Sequence, residues 1–144
     1  MGSLLDGVPE ALSALERATR ISERAAAAGF DWSRIEEIRA KITEELLELD
    51  SALADAHLTA TPAVIEEFGD LLVALVNLSR HLQFDAEAAL RAASRKFEQR
   101  FRHMEASALA KGCKLTSLTA AEWDDLWREA KRSEVFSRDS LTRA

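Results

Sequence analysis

The sequence predicts an all-α protein, an antiparallel bundle of about four main helices followed by a short C-terminal helix. The 144 residues include only five Gly and two Pro, while the good helix formers Ala, Leu, Glu and Arg are abundant. Apolar residues recur at helical spacing through most of the chain. The links between the periodic segments are short, which favours antiparallel neighbours in a bundle.

Five helical segments are predicted, in chain order, over residues 10–28, 33–56, 61–82, 85–111 and 119–131. The first ends at Gly29, a residue type suited to the left-handed conformation past a helix end. The second opens with the Ser-x-x-Glu pattern of a capping box at Ser33 and Glu36. The third begins at Thr61-Pro62, which offers a cap followed by proline at the first helical position.

The fourth helix takes Asp85 as its cap and ends before Gly112, and a second capping box at residues 119–122 opens the fifth. Residues 132–144 are polar and lack periodicity, so they are predicted to form a flexible tail. The length suits one domain, predicted over residues 10–131.

Charge and composition argue against several classes of partner. A net charge of -6 does not suit binding to a nucleic-acid polymer, which needs a clustered basic face. Cys113 is alone, so it forms no internal disulfide. No apolar run approaches the roughly 20 residues that span a bilayer, and no signal-peptide pattern opens the chain, so no membrane partner and a cytoplasmic location are expected.

Carboxylates on the second and third helices are the first candidates for chemistry. The third helix is apolar around most of its circumference and is predicted to be central, yet it carries Glu67 and Asp70 three residues apart. On the second helix, Glu45, Glu48 and Lys41 share one flank of the apolar stripe. Buried carboxylates need partners, either structural salt bridges or a hard cation such as Mg²⁺. The pattern alone leaves both alternatives open.

The same residues resemble a known signature. Residues 44–48, EELLE, followed by residues 66–70, EEFGD, look like the E-E-x-x-E … E-x-x-D motif of the MazG family of all-α nucleoside triphosphate pyrophosphohydrolases. The turn GFDW at residues 29–32 and the run KFEQRF at residues 96–101 are similar to further elements of that family. Residues 1–9 resemble a linker between tandem domains, so the chain resembles the C-terminal domain of tandem MazG proteins.

The resemblance implies an enzyme that uses Mg²⁺, or alternatively Mn²⁺, to hydrolyse nucleoside triphosphates to the monophosphate and pyrophosphate, with nucleotide-pool cleaning as one role. It implies the metal ligands Glu45, Glu48, Glu67 and Asp70. It implies outer-shell or water-orienting catalytic roles for Glu44 and Glu66. It implies substrate contacts from Lys41, Asn77, Lys96, Arg100 and Trp127, with Lys96 and Arg100 also stabilising charge on the departing pyrophosphate.

Some questions stay open at the level of sequence. Ser94 stands where many family members have Asn, and its hydroxyl donates and accepts a hydrogen bond but reaches less far than an amide. The alternative function is a catalytically inactive helical interaction or regulatory module of the same fold. The broad apolar surface of the third helix predicts a homodimer or a higher homo-oligomer. No motif encodes which nucleotide is preferred.

Overall fold

The structure, a computed structural model, describes residues 2–141, and for residues 135–141 it describes the backbone alone. Within that range it contains five α-helices, one short 3-10 turn and no strand, which confirms the all-α class. The helices are α1 (Ala14–Ala27), α2 (Ile35–Asp55), α3 (Pro62–His81), α4 (Ala86–Ala110) and α5 (Ala120–Leu141), with the 3-10 turn at Leu115–Ser117. No helix in the described range has both the length and the apolar character needed to cross a bilayer.

The chain forms two compact units, Met1–Ala89 and Leu90–Ala144, and each is described by itself. In the first unit, α3 packs against both α2 and α1, so the prediction that the third helix is central is confirmed. The buried apolar residues of this unit come from α2 and α3 and are Ile38, Leu49, Ala74 and Val76. The domain limits predicted from the sequence stay a prediction.

The start of α1 is set by a capping box at Ser13 and Glu16, downstream of the start predicted near residue 10. The Ser13 hydroxyl accepts a hydrogen bond from the Glu16 backbone N–H at 3.3 Å, and the Glu16 carboxylate accepts one from the Ser13 N–H at 3.1 Å. These two bonds satisfy backbone donors that have no partner within the helix. The predicted start near residue 10 is therefore wrong, and the helix begins at Ala14.

The start of α2 differs from the predicted capping box by one position. Glu37, and not Glu36, reaches back, and its carboxylate accepts hydrogen bonds from the backbone N–H groups of Ser33 at 3.1 Å and Arg34 at 3.3 Å. The helix accordingly begins at Ile35.

The remaining boundaries follow the predicted signals closely. Thr61 caps α3 by accepting a hydrogen bond from the Val64 N–H, with proline at the first helical position. Thr119 and Glu122 form the predicted capping box of α5, with the Thr119 N–H 2.7 Å from the Glu122 carboxylate. Gly29 and Gly112 adopt φ values of 94° and 69° just after α1 and α4, as a left-handed helix end requires.

The second unit is organised by α4 and α5. Its buried core joins the two helices through Met104, Ala108, Leu126 and Ala130. The prediction that the last helix ends near Lys131 is wrong, because α5 continues to Leu141. The added turns contain neither Gly nor Pro, and the side chain of Glu134 is bonded to α4. Residues 142–144 of the predicted tail lie outside the described residues.

Candidate metal centre

The packing of α2 against α3 brings three carboxylates together. Glu45 of α2 and Glu67 and Asp70 of α3 each present one carboxylate oxygen, and these atoms all lie within 4.8 Å of one another. The spacing of three residues on α3 places its two carboxylates on the same face of that helix. Three of the four predicted metal ligands are therefore neighbours in the structure.

Glu45 is the buried member of the cluster, with 4% of its surface exposed. Its Oε1 lies 2.6 Å from the Lys41 Nζ. Its Oε2 is buried and has no hydrogen-bond partner among the described residues. A buried carboxylate oxygen without a partner is costly, so the cluster has an acceptor that a bound cation would satisfy.

Lys41 is the basic residue of this cluster, and it bonds two carboxylates of its own helix. Its Nζ lies 3.0 Å from Glu44 Oε1 in addition to the shorter contact with Glu45. Hydrogen bonds to Glu45 and then to Glu44 raise the pKa of Lys41, so the amine stays charged. One ammonium group faces several carboxylates here, which leaves the cluster net negative and attractive to a divalent cation.

Glu48, the fourth predicted ligand, lies one turn further along α2 and is exposed. Partial desolvation by the neighbouring side chains, followed by the negative charges of Glu45 and Glu67, raises the pKa of Glu48 above its usual range. It borders an open groove of about 420 Å³ whose lining also includes Thr61 and Glu67. Glu48 is thus electrostatically coupled to the cluster, and its role as a ligand stays a prediction.

The donor set fits a hard divalent cation. Carboxylate oxygens are the ligands that Mg²⁺ prefers, and a partly exposed cluster leaves room for the waters that this ion keeps. Asp70 is exposed and Glu67 is half-buried, so the site is open to solvent on the α3 side. Glu66, predicted as a catalytic group, is also exposed on α3.

Asn77, predicted as a substrate contact, belongs to a polar network between α1 and α3. It is 6% exposed, and its Oδ1 accepts hydrogen bonds from the Ser22 hydroxyl and, at 3.4 Å, from Arg80 Nη2. Its Nδ2 donates to the Val73 carbonyl at 3.1 Å. Both polar atoms are engaged inside the first unit, and a direct substrate contact stays a prediction.

Asp31 extends this network to the turn before α2. Its carboxylate accepts hydrogen bonds from Arg80 Nη1 at 2.9 Å and Nη2 at 2.5 Å, and it lies 3.0 Å from His81 Nε2. These contacts, the bonds from Arg80 above all, hold the pKa of Asp31 well below its usual range. The GFDW turn is thereby fastened to the C-terminal end of α3, the helix that carries Glu67 and Asp70.

Arg100 and Trp127, both predicted substrate contacts, lie together in the second unit. The Arg100 Nε and Nη2 each donate to the Glu134 carboxylate at 2.9 Å. The Arg100 Cζ lies 5.2 Å from the centroid of the Trp127 ring, which also packs against Phe97 at 5.7 Å. The pairing with Glu134 depends on the part of α5 beyond Lys131, where the sequence predicts no helix.

Lys96 and Ser94 are exposed on α4. The Ser94 hydroxyl donates to the Leu90 carbonyl of its own helix at 2.9 Å, so its hydrogen-bonding capacity is partly used locally. The substrate and catalytic roles predicted for Lys96, Arg100 and Trp127 stay predictions.

The fold and the cluster define an all-helical protein with a carboxylate centre suited to a divalent cation. Comparison with known proteins agrees with this class, since residues 33–105 match the model of the MazG nucleotide pyrophosphohydrolase domain. The chain belongs to the MazG family, whose enzymes depend on a metal ion.

Two bacterial relatives align with most of the chain. It is 40% identical over 133 residues, or 92% of its length, to a nucleoside triphosphate pyrophosphohydrolase of Escherichia coli strain K12. It is 46% identical over 118 residues, or 82% of its length, to a nucleoside triphosphate pyrophosphohydrolase/pyrophosphatase MazG of Thermotoga maritima. The matches cover 50% and 44% of those relatives, so the chain spans about half the length of the proteins it resembles.

Proposed function

We propose that this chain hydrolyses nucleoside triphosphates to the monophosphate and pyrophosphate with the help of Mg²⁺, for which Mn²⁺ can substitute. The observation that carries the proposal is the Glu45, Glu67 and Asp70 cluster, with its buried unsatisfied oxygen. Membership of the MazG family, and the activity after which the two relatives are named, support the same reaction.

In this proposal Glu45, Glu48, Glu67 and Asp70 hold the metal ion. The ion would supply neutralisation of the triphosphate charge, the dominant requirement of phosphoryl chemistry. Lys41 orients the Glu45 carboxylate through its 2.6 Å contact, and the third donor of its ammonium group is available to a phosphate oxygen.

The reaction then proceeds by attack of a water molecule on the α-phosphorus. The water oxygen forms the new bond to phosphorus, the bond to the α–β bridging oxygen breaks, and pyrophosphate leaves with that oxygen. Glu44 or Glu66, both exposed beside metal ligands, accepts the proton of the water. Lys96 and Arg100, one turn apart on α4, neutralise the charge that develops on pyrophosphate.

We further propose that the protein acts as a homodimer, or a higher homo-oligomer, that covers the exposed apolar side of α3. Ile65, Phe68, Leu72, Val73 and Leu75 all remain exposed in the single chain. Exposed apolar residues this numerous on one central helix are typical of an interface between subunits. The predicted cytoplasmic location and the role in nucleotide-pool cleaning stay predictions.

The decisive assay is pyrophosphate release from a panel of ribo-, deoxyribo- and modified triphosphates, with Mg²⁺ and with EDTA, in ¹⁸O-labelled water. Metal-dependent release with the label in the monophosphate supports attack at the α-phosphorus, whereas label in pyrophosphate would move the attack to the β-phosphorus. The ranking of substrates identifies the preferred nucleotide.

Two matched variants on α2 complete the assay. Glu45→Gln removes the buried carboxylate of the cluster, while Glu36→Gln makes the same change at an exposed position in the first turn. Loss of release in the first variant alone is the expected result. Absence of release from folded wild-type protein would instead favour the inactive interaction module.

A further inference from the structure

The side chain of Arg100 is fixed on two sides within the second unit. The Glu134 carboxylate accepts two hydrogen bonds of 2.9 Å from the guanidinium group, from Nε to Oε1 and from Nη2 to Oε2. The Trp127 ring lies 5.2 Å from Cζ, at the distance of a cation–π contact. The side chains of Arg100 and Glu134 are 17% and 29% exposed, so solvent reaches the pair only in part.

This arrangement leaves the outer donors of the guanidinium group available. Arginine has five N–H donors in a planar fork, and the bonds to Glu134 use the Nε donor and one Nη2 donor. The Nη1 group makes no hydrogen bond to any residue that the structure describes. The Nη1 and Nη2 donors together present the geometry that matches a phosphate group with two parallel bonds.

A second bridge between the same helices provides a comparison. Glu129 of α5 accepts hydrogen bonds from Lys111 Nζ and from Ser107, each at 2.9 Å. It therefore joins α4 to α5 as Glu134 does, although its partners are not candidate phosphate ligands. If both bridges were purely structural, removal of either glutamate would change activity and substrate binding to a similar extent.

We propose that Glu134 is a positioning residue that orients Arg100 for the triphosphate. This proposal rests on the proposed function, because Arg100 needs such orientation only if it binds a phosphate group. A flexible arginine loses side-chain freedom when it binds a ligand, and prior fixation by a carboxylate removes part of that loss. Glu134 acts through Arg100 and does not itself contact the substrate.

The test is a double-mutant cycle between Glu134→Ala and Arg100→Ala, with Glu129→Ala as the matched control. Two quantities are measured: kcat/KM for pyrophosphate release, and the Kd of α,β-methylene-ATP, an uncleaved triphosphate analogue, in the presence of Mg²⁺. We expect Glu134→Ala to weaken both by about tenfold, the scale expected for freeing one long side chain. In the Arg100→Ala background the same change has no further effect, and Glu129→Ala alters both quantities less than twofold.

Glu134→Gln serves as the conservative variant, because its amide oxygen still accepts a bond from Nε. It is expected to recover part of the lost affinity, while melting temperatures report whether each variant is folded.

Equal effects of Glu134→Ala in both backgrounds, an equal effect of Glu129→Ala, or no effect at all would overturn the positioning role. Wild-type protein that releases no pyrophosphate but binds the analogue in a Glu134- and Arg100-dependent way would refute the reaction and leave the positioning role intact. Wild-type protein that neither reacts nor binds would overturn both.

Discussion

Replacement of Asp31 by Asn tests how the turn before α2 is fastened to α3. The carboxylate accepts two bonds from Arg80 and contacts His81, and the side chains of Asp31 and Arg80 are 26% and 16% exposed. An asparagine of the same size loses the charge and offers one acceptor in place of two. Arg80 is then left largely buried with its positive charge uncompensated, although Ser22 and Asn77 still accept bonds from it.

The magnitude follows from the kind of bond that is lost. A hydrogen bond between charged groups contributes about 1.5–3 kcal/mol, and solvent reaches part of this pair, so a total of about 2 kcal/mol is expected. For a chain of this length, about 2 kcal/mol lowers the melting temperature by about 6–8 °C near neutral pH. Asp50→Asn, at an exposed position of α2, is the matched control and should change the melting temperature little.

The pH dependence of this difference has a definite sign. The folded-state pKa of Asp31 is held below its unfolded value of 3.8, so the carboxylate stabilises the protein at pH values above 3.8. The contribution declines as the pH falls below that value, by up to about 1.4 kcal/mol per pH unit. Differential scanning calorimetry should show a difference between wild type and Asp31→Asn that narrows as the pH falls from about 5 to 3. A difference that stays constant to pH 3, or one that is absent at pH 7, would refute the reasoning.

Three other changes probe the first unit. Asp70→Asn should lower metal-dependent pyrophosphate release by about 100-fold or more, because it removes a carboxylate of the cluster; release within threefold of wild type would contradict that role. Phe68→Glu places a charge on the exposed side of α3 and should shift the mass measured by light scattering toward the monomer, whereas Phe30→Glu, at an exposed turn, should not. Gly69→Ala should raise the free energy of unfolding by about 0.5–1 kcal/mol, since a Cβ there meets no atom within 4 Å; a lower melting temperature would indicate that a second copy packs against that position.

Local signals in the sequence were sufficient for most of the fold. The Thr61 and Thr119 caps and the two glycines after α1 and α4 act within a few residues of the chain, so their outcome depends little on tertiary structure. The start of α1 depends on a signal of the same local kind. Ser13 and Glu16 carry the capping pattern, and this pattern, rather than the predicted start near residue 10, marks the beginning of α1.

The carboxylate cluster was accessible to sequence reasoning because helical periodicity fixes which residues share a face. Glu67 and Asp70 are three positions apart on a helix that is otherwise apolar, which singles them out. Their approach to Glu45 follows from the packing of α2 on α3.

The polar network around Asn77 and Asp31 and the pairing of Arg100 with Glu134 could not be predicted, because each joins residues that are distant in the chain. Asp31 meets Arg80 across 49 positions, and Ser22 meets Asn77 across 55. The Arg100 and Glu134 pair, 34 positions apart, depends in addition on the continuation of α5 beyond Lys131. Pairings of this kind are decided by tertiary packing, and a single sequence gives no periodic signal for them.

The most direct test of the metal centre is a Mg²⁺ titration of wild type and Glu45→Gln, followed by melting temperature and by isothermal calorimetry without nucleotide. At a free Mg²⁺ concentration of about 100 times Kd, the linkage between binding and folding stabilises the native state by about 2.7 kcal/mol. That corresponds to a rise of about 8–10 °C in the melting temperature of a chain of this length. The account predicts this rise and a measurable heat of binding for wild type and for the control Glu36→Gln, and neither for Glu45→Gln. A wild-type protein whose melting temperature does not respond to Mg²⁺ or Mn²⁺, or a Glu45→Gln variant that responds equally, would contradict the assignment of the cluster as a metal centre.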